Sequence, residues 1–145
     1  MTTSYRMIRL SEDAAGESHF DDLEVEQSLT KIAPPALPFL VSPSERASEY
    51  SVIRIPVGWV GERHRSPHRQ ICFCWSGALK VTASDGVIRI VEPGTIWLMS
   101  DTTGKGHESE VASTVPFDAA LVFLPNSDET NSRAGVGPLG WTDLN

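Results

Sequence analysis

The 145-residue chain has only two cysteines and no apolar run that approaches 18 residues. Two cysteines cannot build the disulfide framework of a small secreted domain, and the lack of a long apolar run excludes a membrane-spanning helix. The first ten residues, MTTSYRMIRL, lack the apolar stretch and the small-residue cleavage site of a signal peptide. We therefore expect a cytoplasmic protein with no membrane partner.

Basic residues are also scarce. Twelve Lys and Arg stand against nineteen Asp and Glu, which gives a formal net charge of −7. A protein that coats DNA or RNA needs a basic surface, so a nucleic-acid partner is excluded. The hydrophobic share of 40% and the charged share of 21% are typical of a globular domain.

Helical periodicity is nearly absent, and eleven glycines and ten prolines separate short apolar runs. This spacing is typical of β proteins. One short helix is predicted within residues 42–50, where Ser42 or Ser44 can cap it. The strongest hairpin signal is Ser84-Asp85-Gly86. At least seven short strands are predicted between residues 50 and 124, which favours an antiparallel sandwich or barrel.

The chain divides into three predicted regions. Residues 1–49 form an N-terminal arm, loose over residues 1–19 and with a peripheral strand near residues 23–27. We expect that strand to pair with a neighbouring sheet across a homodimer, because antiparallel sheets leave edges that need covering. Residues 50–125 form the β domain, and residues 126–145 form a polar C-terminal tail.

Three of the four histidines lie in the middle of the chain, at positions 64, 68 and 107. In GERHRSPHRQ, residues 61–70, the side chains of His64, Ser66, His68 and Gln70 alternate with arginines and share one face of an extended strand. Pro67 permits a bend that lets them converge. We predict that His64, Gln70 and His107 face one cavity.

These residues follow the spacing of the cupin superfamily, which the sequence resembles. The first cupin motif is Gly, five residues, His-x-His, three or four residues, Glu, six residues and Gly. The matching positions are Gly58, His64, Ser66 in place of the second His, Gln70 in place of Glu, and Gly77. In the second motif, Pro93-Gly94 opens a strand and Gly104-Lys105-Gly106-His107 closes the loop.

The resemblance implies an all-β fold, a double-stranded β-helix barrel of the jelly-roll kind, with residues 50–125 as the cupin barrel and a pocket in its mouth. It also implies a metal site, in which His64 and His107 match two ligands and Gln70 is a neutral replacement for a third. Because a His and a carboxylate are lost, we expect a weakly held divalent ion or none. His68 has the parity to replace the missing ligand, and exposure beside Arg69 is its alternative interpretation.

Other residues have both structural and functional interpretations. Arg65 and Arg69 belong to a local basic cluster with Arg63, which is either a solvated face or a rim that binds an anion. We predict that the substrate contacts Arg65, Arg69, His68, Trp59 and Trp97, although the tryptophans could equally be core. Cys72 and Cys74 are interpreted as core residues, with a metal or redox pair as the alternative.

The function predicted from the resemblance is a small-molecule enzyme whose catalytic residues are His64, Gln70 and His107. The departures from the metal motif favour isomerase, cyclase or lyase chemistry on a small anionic or oxygen-rich substrate, with the histidines as general acid and base. A non-catalytic ligand-binding cupin and a metal-dependent cupin dioxygenase are the alternatives. A third alternative is a structural protein that acts by dimerising through its sheets.

Overall fold

The computed structural model describes residues 2–125 and 141–144, and it is all-β over that part of the chain. This confirms the all-β part of the predicted fold class. None of the described residues forms a helix long and apolar enough to cross a membrane. The strands are β1 (Thr2–Glu12), β2 (Ser18–Thr30), β3 (Phe39–Val41), β4 (Glu49–Ile55), β5 (Val60–His64), β6 (Gln70–Ser76), β7 (Leu79–Ala83), β8 (Ile88–Val91), β9 (Ile96–Met99), β10 (His107–Val111), β11 (Phe117–Phe123) and β12 (Trp141–Leu144).

The strands from β4 to β11 pair in a nested pattern. β7 pairs with β8 around the predicted Ser84-Asp85-Gly86 turn, and outward from it β6 pairs with β9, β5 with β10 and β4 with β11, all antiparallel. The result is two sheets. The smaller has the order β5-β10-β7-β8, and the larger runs β12-β2-β1-β9-β6-β11-β4, with β3 beside β2.

The two sheets do not close into the continuous barrel that the sequence predicts. One reason is the strand β1, which pairs in parallel with β9 and so extends the larger sheet beyond that strand. At the other end β4 and β5 lie in different sheets, separated by a turn that contains Pro56 and the left-handed Gly58. A proline lacks the donor that a continuing ladder needs.

The main core lies between the two sheets, because its members come from both. Alternation along β7 buries Leu79, Val81 and Ala83, and these pack in one cluster with residues of the larger sheet such as Trp97 and Phe117. A second cluster, which includes Leu23, Ile71 and Leu98, is buried separately from it. The larger sheet is therefore buried on both faces near its centre.

Two expectations for the N-terminal region are wrong. Residues 1–19 are not loose over their described part, since β1 begins at Thr2 and pairs along its length with β2 and at its end with β9. The strand predicted at residues 23–27 lies inside β2, but its partner is β1 of the same chain. Long-range pairing on both edges of β1 supplies the order that its polar sequence did not indicate.

The predicted helix at residues 42–50 is also wrong. Residues 42–48 are irregular, and β4 begins at Glu49. Pro43 disfavours a helical conformation for Ser42, and the side chain of Glu45 is held by an ion pair with Arg69 at 3.4 Å. Of the predicted tail, residues 126–145, only the backbone of β12 is described, and it pairs with β2; the rest lies outside the described residues.

The turn between β1 and β2 holds the loop that precedes β10, residues 101–106. The amide of Lys105 donates to the carbonyl of Gly16 at 2.8 Å, and its ammonium lies 2.5 Å from a carboxylate oxygen of Glu17. At the start of β2, the hydroxyl of Ser18 donates to the carbonyl of Gly106 at 2.7 Å. The N-terminal hairpin therefore fixes a loop of the β domain.

Replacing Gly106 with alanine should destabilise the fold by at least about 2 kcal/mol, because the residue has a φ of +75° and a Cβ would lie 2.2 Å from the carbonyl oxygen of His64. Gly86 is the matched control, with a φ of +90° and no atom within 4 Å of an added Cβ. Gly86→Ala should cost only the left-handed strain, about 1 kcal/mol. Urea unfolding measures both, and equal losses would contradict the close approach at Gly106.

His19 should give a pH-dependent contribution to stability. Its Nε2 lies 2.7 Å from Asp13 and its Nδ1 lies 2.8 Å from Asp85, which raises the pKa of His19, while the hydrogen bond from His19 lowers the pKa of Asp13. The His19 contribution is complete below its unfolded pKa and is lost as pH rises through the folded one. The Asp13 contribution is complete above its unfolded pKa and is lost as pH falls through the folded one.

The bridge is therefore strongest from about pH 4 to pH 6.5, between the ordinary pKa values of aspartate and histidine. We expect His19→Gln to lower the melting temperature most in that range and least in alkaline buffer. Thermal unfolding of both proteins across pH tests this. A difference that does not vary with pH would show that the bridge carries no charge-dependent stability.

Candidate functional site

Two of the predicted site residues, His64 and His107, lie directly opposite each other. His64 is the last residue of β5 and His107 the first of β10, and the two are cross-strand partners. Their ring centroids are 4.6 Å apart and the ring planes are inclined by 57°. The structure thus brings together two imidazoles that are 43 positions apart in the sequence.

The backbone around the histidine pair is closely packed. The 101–106 loop approaches the end of β5 so closely that only a glycine fits at position 106 against the His64 carbonyl. The amide of Ser66 donates to the carbonyl of Asp101 at 3.1 Å. The chain on either side of the pair is therefore joined by main-chain contacts.

A buried carboxylate, which the sequence analysis missed, holds the second histidine. Asp101 has no exposed surface, and its Oδ2 lies 2.5 Å from Nδ1 of His107. Its Oδ1 accepts a hydrogen bond of 2.6 Å from the hydroxyl of Ser66. Ser66 occupies the position of the lost metal ligand, and its hydroxyl instead donates to the second carboxylate oxygen of Asp101. The available signal was the position of Asp101, six residues before His107 in the loop that the second motif had already marked.

The hydrogen bonds also determine which ring nitrogens are free. A carbonyl and a carboxylate only accept, so Nδ1 of each histidine must donate, to Glu62 O at 2.6 Å from His64 and to Asp101 from His107. In the neutral form, each ring then carries its lone pair on Nε2. Both Nε2 atoms lack a hydrogen-bond partner among the described residues, but only the one on the exposed His64 is accessible to a molecule in the pocket.

The exposed ring, His64, forms part of the wall of a pocket of about 690 Å³. His107 is 1% exposed and lies behind it, with its ring edge-on to Trp97 at 5.6 Å. A molecule in the pocket would meet His64 first. The lining residues are Arg63, His64, Arg65, Ser66, Pro67, Thr102, Gly104 and Lys105.

Of the predicted residues, Gln70 and Trp97 are buried and Trp59 is partly buried. Gln70 is 2% exposed, and its Nε2 contacts the sulfur of Met99 at 3.4 Å. Its Oε1 and the indole Nε1 of Trp97 have no partner in the described part of the chain. Trp97 belongs to the core cluster and Trp59 packs against it. None of the three is part of the pocket wall.

The structure does not bring His68 and Arg69 to the histidine pair. The ring of His68 is exposed and packs on Phe123, with 4.9 Å between centroids. The guanidinium of Arg69 pairs with Glu45, and both side chains are only 12% exposed. Of the predicted substrate-binding residues, the pocket wall contains Arg65 alone.

The two cysteines are buried, as expected for core residues. Cys72 and Cys74 both face the main core, and both are free thiols. Burial raises the pKa of the Cys72 thiol to about 12. A thiol that stays protonated is a poor nucleophile and a poor metal ligand, which argues against the alternative metal or redox pair.

The residues present do not fit a tightly held metal ion. His64 and His107 offer two neutral nitrogens, while Asp101 is engaged by His107 and Ser66. Among the described residues, no group of three or more His, Cys, Asp or Glu side chains could hold an ion. Three cationic side chains in the pocket wall, Arg63, Arg65 and Lys105, would repel one. The weak binding of a divalent ion that the sequence predicts stays a prediction.

Comparison with known proteins leaves this site to be interpreted from its own geometry, because no family model and no curated protein matches the chain. The cupin resemblance accordingly stays an expectation drawn from motif spacing.

Substitutions in the buried part of the site should lower the free energy of unfolding, and a substitution in its exposed part should not. Asp101→Asn should cost about 1–3 kcal/mol of unfolding free energy and Ser66→Ala about 1 kcal/mol, because each leaves a buried polar group without its partner. His64→Ala should change stability by less than about 0.5 kcal/mol, since its ring is exposed. Denaturant unfolding of the three variants measures this. A loss for His64→Ala as large as that for Asp101→Asn would refute this division.

Proposed function

We propose that the protein is a small-molecule enzyme that transfers protons within its substrate, as an isomerase, cyclase or lyase. The observation that carries this proposal is the contact between His64 in the pocket wall and His107, whose Nδ1 is held by the buried Asp101. A histidine in the pocket wall, oriented by contact with a second imidazole that a buried carboxylate holds, is suited to act as a general base.

In the proposed reaction, Nε2 of His64 removes a proton from a carbon next to a carbonyl group of the substrate. The imidazolium of His64 then returns the proton: to another carbon of the enolate in an isomerase, or to the departing group on the β-carbon as its bond breaks in a lyase. In a cyclase the enolate carbon attacks a second carbonyl of the same substrate, and the proton goes to the oxygen of that carbonyl. His107 is a positioning residue: its ring contacts His64 at 4.6 Å, and Asp101 fixes its orientation.

We also propose that β4 to β11 form a double-stranded β-helix of the cupin type. The support is the nested pairing of β7–β8, β6–β9, β5–β10 and β4–β11, which results when one long antiparallel hairpin winds into two sheets. Jelly rolls, cupins included, have eight strands in two Greek keys. The motif spacing around His64 and His107 supports the same proposal.

A homodimer in the cytoplasm completes the proposal. Its support is β4, the last strand of the larger sheet, where no further described strand pairs. This strand exposes Tyr50 (76%) and Val52 (67%). An open edge with apolar side chains favours pairing with a second copy.

A ligand-binding protein without turnover is the second candidate. It is favoured by the burial of His107, which is 1% exposed and so cannot contact a molecule in the pocket without a movement of His64. The donor set does not fit a tightly held ion, and this disfavours a metal-dependent dioxygenase.

Hydrogen–deuterium exchange tests the proposal without a known substrate. The full chain is incubated in D₂O with a pool of small keto acids, hydroxy acids and their esters, and mass spectrometry detects deuterium at carbon or conversion of a pool member. We expect at least one member to be labelled or converted. His64→Ala should reduce that rate by about 10²-fold or more, the typical contribution of a general base.

The control is His68→Ala, which removes an exposed imidazole that packs on Phe123 outside the pocket wall and should leave the rate unchanged. The reaction is repeated after dialysis against EDTA, and we expect it to persist. Binding of a pool member without exchange or conversion would favour the ligand-binding alternative. Activity lost on chelation and restored by one metal would refute the metal-free proposal.

A further inference from the structure

The pocket wall contains three cationic side chains and no carboxylate, although the chain as a whole carries a net charge of −7. The cations are Arg63, Arg65 and Lys105, and the remaining wall residues are His64 and neutral groups. Concentrating positive charge in one concave surface of an acidic protein raises the local concentration of anions there. The pocket therefore attracts anions, whereas the acidic surface elsewhere attracts cations.

Two of the three cations already have carboxylate partners. Nε of Arg63 lies 3.6 Å from Oε1 of Glu108, and Nζ of Lys105 lies 2.5 Å from Oε2 of Glu17. Arg65 has no hydrogen bond and no ion pair to any residue in the described part of the chain. Its exposed guanidinium retains all five N–H donors for a ligand.

The backbone that carries Arg65 is fixed on both sides. His64 before it is tied to the main chain through Glu62 and packed against Gly106, and Ser66 after it donates from its amide and its hydroxyl to Asp101. Arg65 and His64 line the same pocket. An anionic ligand group bound by the guanidinium is therefore held in the pocket that His64 also lines.

We propose that Arg65 binds an oxyanion of the ligand, a carboxylate or a phosphate, and so determines which molecules enter the pocket. A planar guanidinium donates two parallel N–H bonds to such a group, which a lysine ammonium cannot do. The site binds the oxyanion whether or not the protein is an enzyme. If the proposed function holds, the same contact places the carbons nearest the anionic group beside Nε2 of His64.

The test is an NMR titration of the full chain with three probes of similar size: benzoate, phenyl phosphate and benzyl alcohol. Amide resonances of Ser66, Thr102 and Lys105 report on the pocket. We expect one or both anions to shift them, and benzyl alcohol to have no effect. Benzoate binding alone assigns a carboxylate, and phenyl phosphate binding alone assigns a phosphate. Equal binding of the alcohol would overturn the proposal.

Variants show whether Arg65 is responsible. Arg65→Ala should weaken binding of the anionic probe by about 10-fold or more, and Arg65→Lys should fall between the two, because it keeps the charge and loses the paired donors. Arg46→Ala is the matched control: it removes one positive charge from an exposed position outside the pocket wall and should leave the affinity unchanged. An equal loss in Arg46→Ala would mean general electrostatic attraction and would overturn the proposal.

The oxyanion site and the proposed catalytic function can fail independently of each other. His64→Ala should bind the anionic probe within about twofold of the unmodified chain, since it leaves the guanidinium in place. Arg65-dependent binding without any proton exchange in the substrate pool would support the oxyanion site and reject the catalytic function. Proton exchange in the substrate pool without Arg65-dependent binding of either anionic probe would support the catalytic function and overturn the oxyanion site.

Discussion

The buried carboxylate of Asp101 is the constraint on which the rest of the site depends. A carboxylate without exposed surface must have partners, because removing an ion from water is costly. Ser66 and His107 supply them, and the carbonyl of Asp101 accepts from the Ser66 amide as well. One residue therefore joins the segment after β5, the loop before β10 and the first residue of β10. Any change that leaves this carboxylate unpaired should disturb all three.

The fold supplies the framework for that network from two directions. The nested pairing makes β5 and β10 neighbours, so that His64 and His107 meet although the sequence separates them widely. The N-terminal hairpin then holds the 101–106 loop from the outside, through the contacts of Gly16 and Glu17 with Lys105 and of Ser18 with Gly106. The region predicted to be a separate arm therefore supports, from outside, a loop whose residues Thr102, Gly104 and Lys105 line the pocket.

Local signals were sufficient for much of the fold. The turn at Ser84-Asp85-Gly86 and the short apolar runs predicted most strands between residues 50 and 124, because hairpins and alternation are encoded locally. β1 was missed because its order depends on pairing with β2 and β9 rather than on its own composition. The motif spacing predicted the meeting of His64 and His107. It could not predict Asp101, since an aspartate followed by two threonines and a glycine has the composition of an ordinary surface turn, and only tertiary packing buries it.

Asp101 holds the proton of His107 on Nδ1 and so leaves Nε2 of the neutral ring with its lone pair. Long-range proton–nitrogen NMR of the imidazole side chains measures this directly, since it distinguishes a protonated ring nitrogen from one with a lone pair. We predict that, in the neutral form, both His64 and His107 carry their proton on Nδ1, and that Asp101→Asn changes the nitrogen shifts of His107 more than those of His64. A neutral His107 with its proton on Nε2 would contradict the claim, because the ring would then have no lone pair to offer to its neighbour.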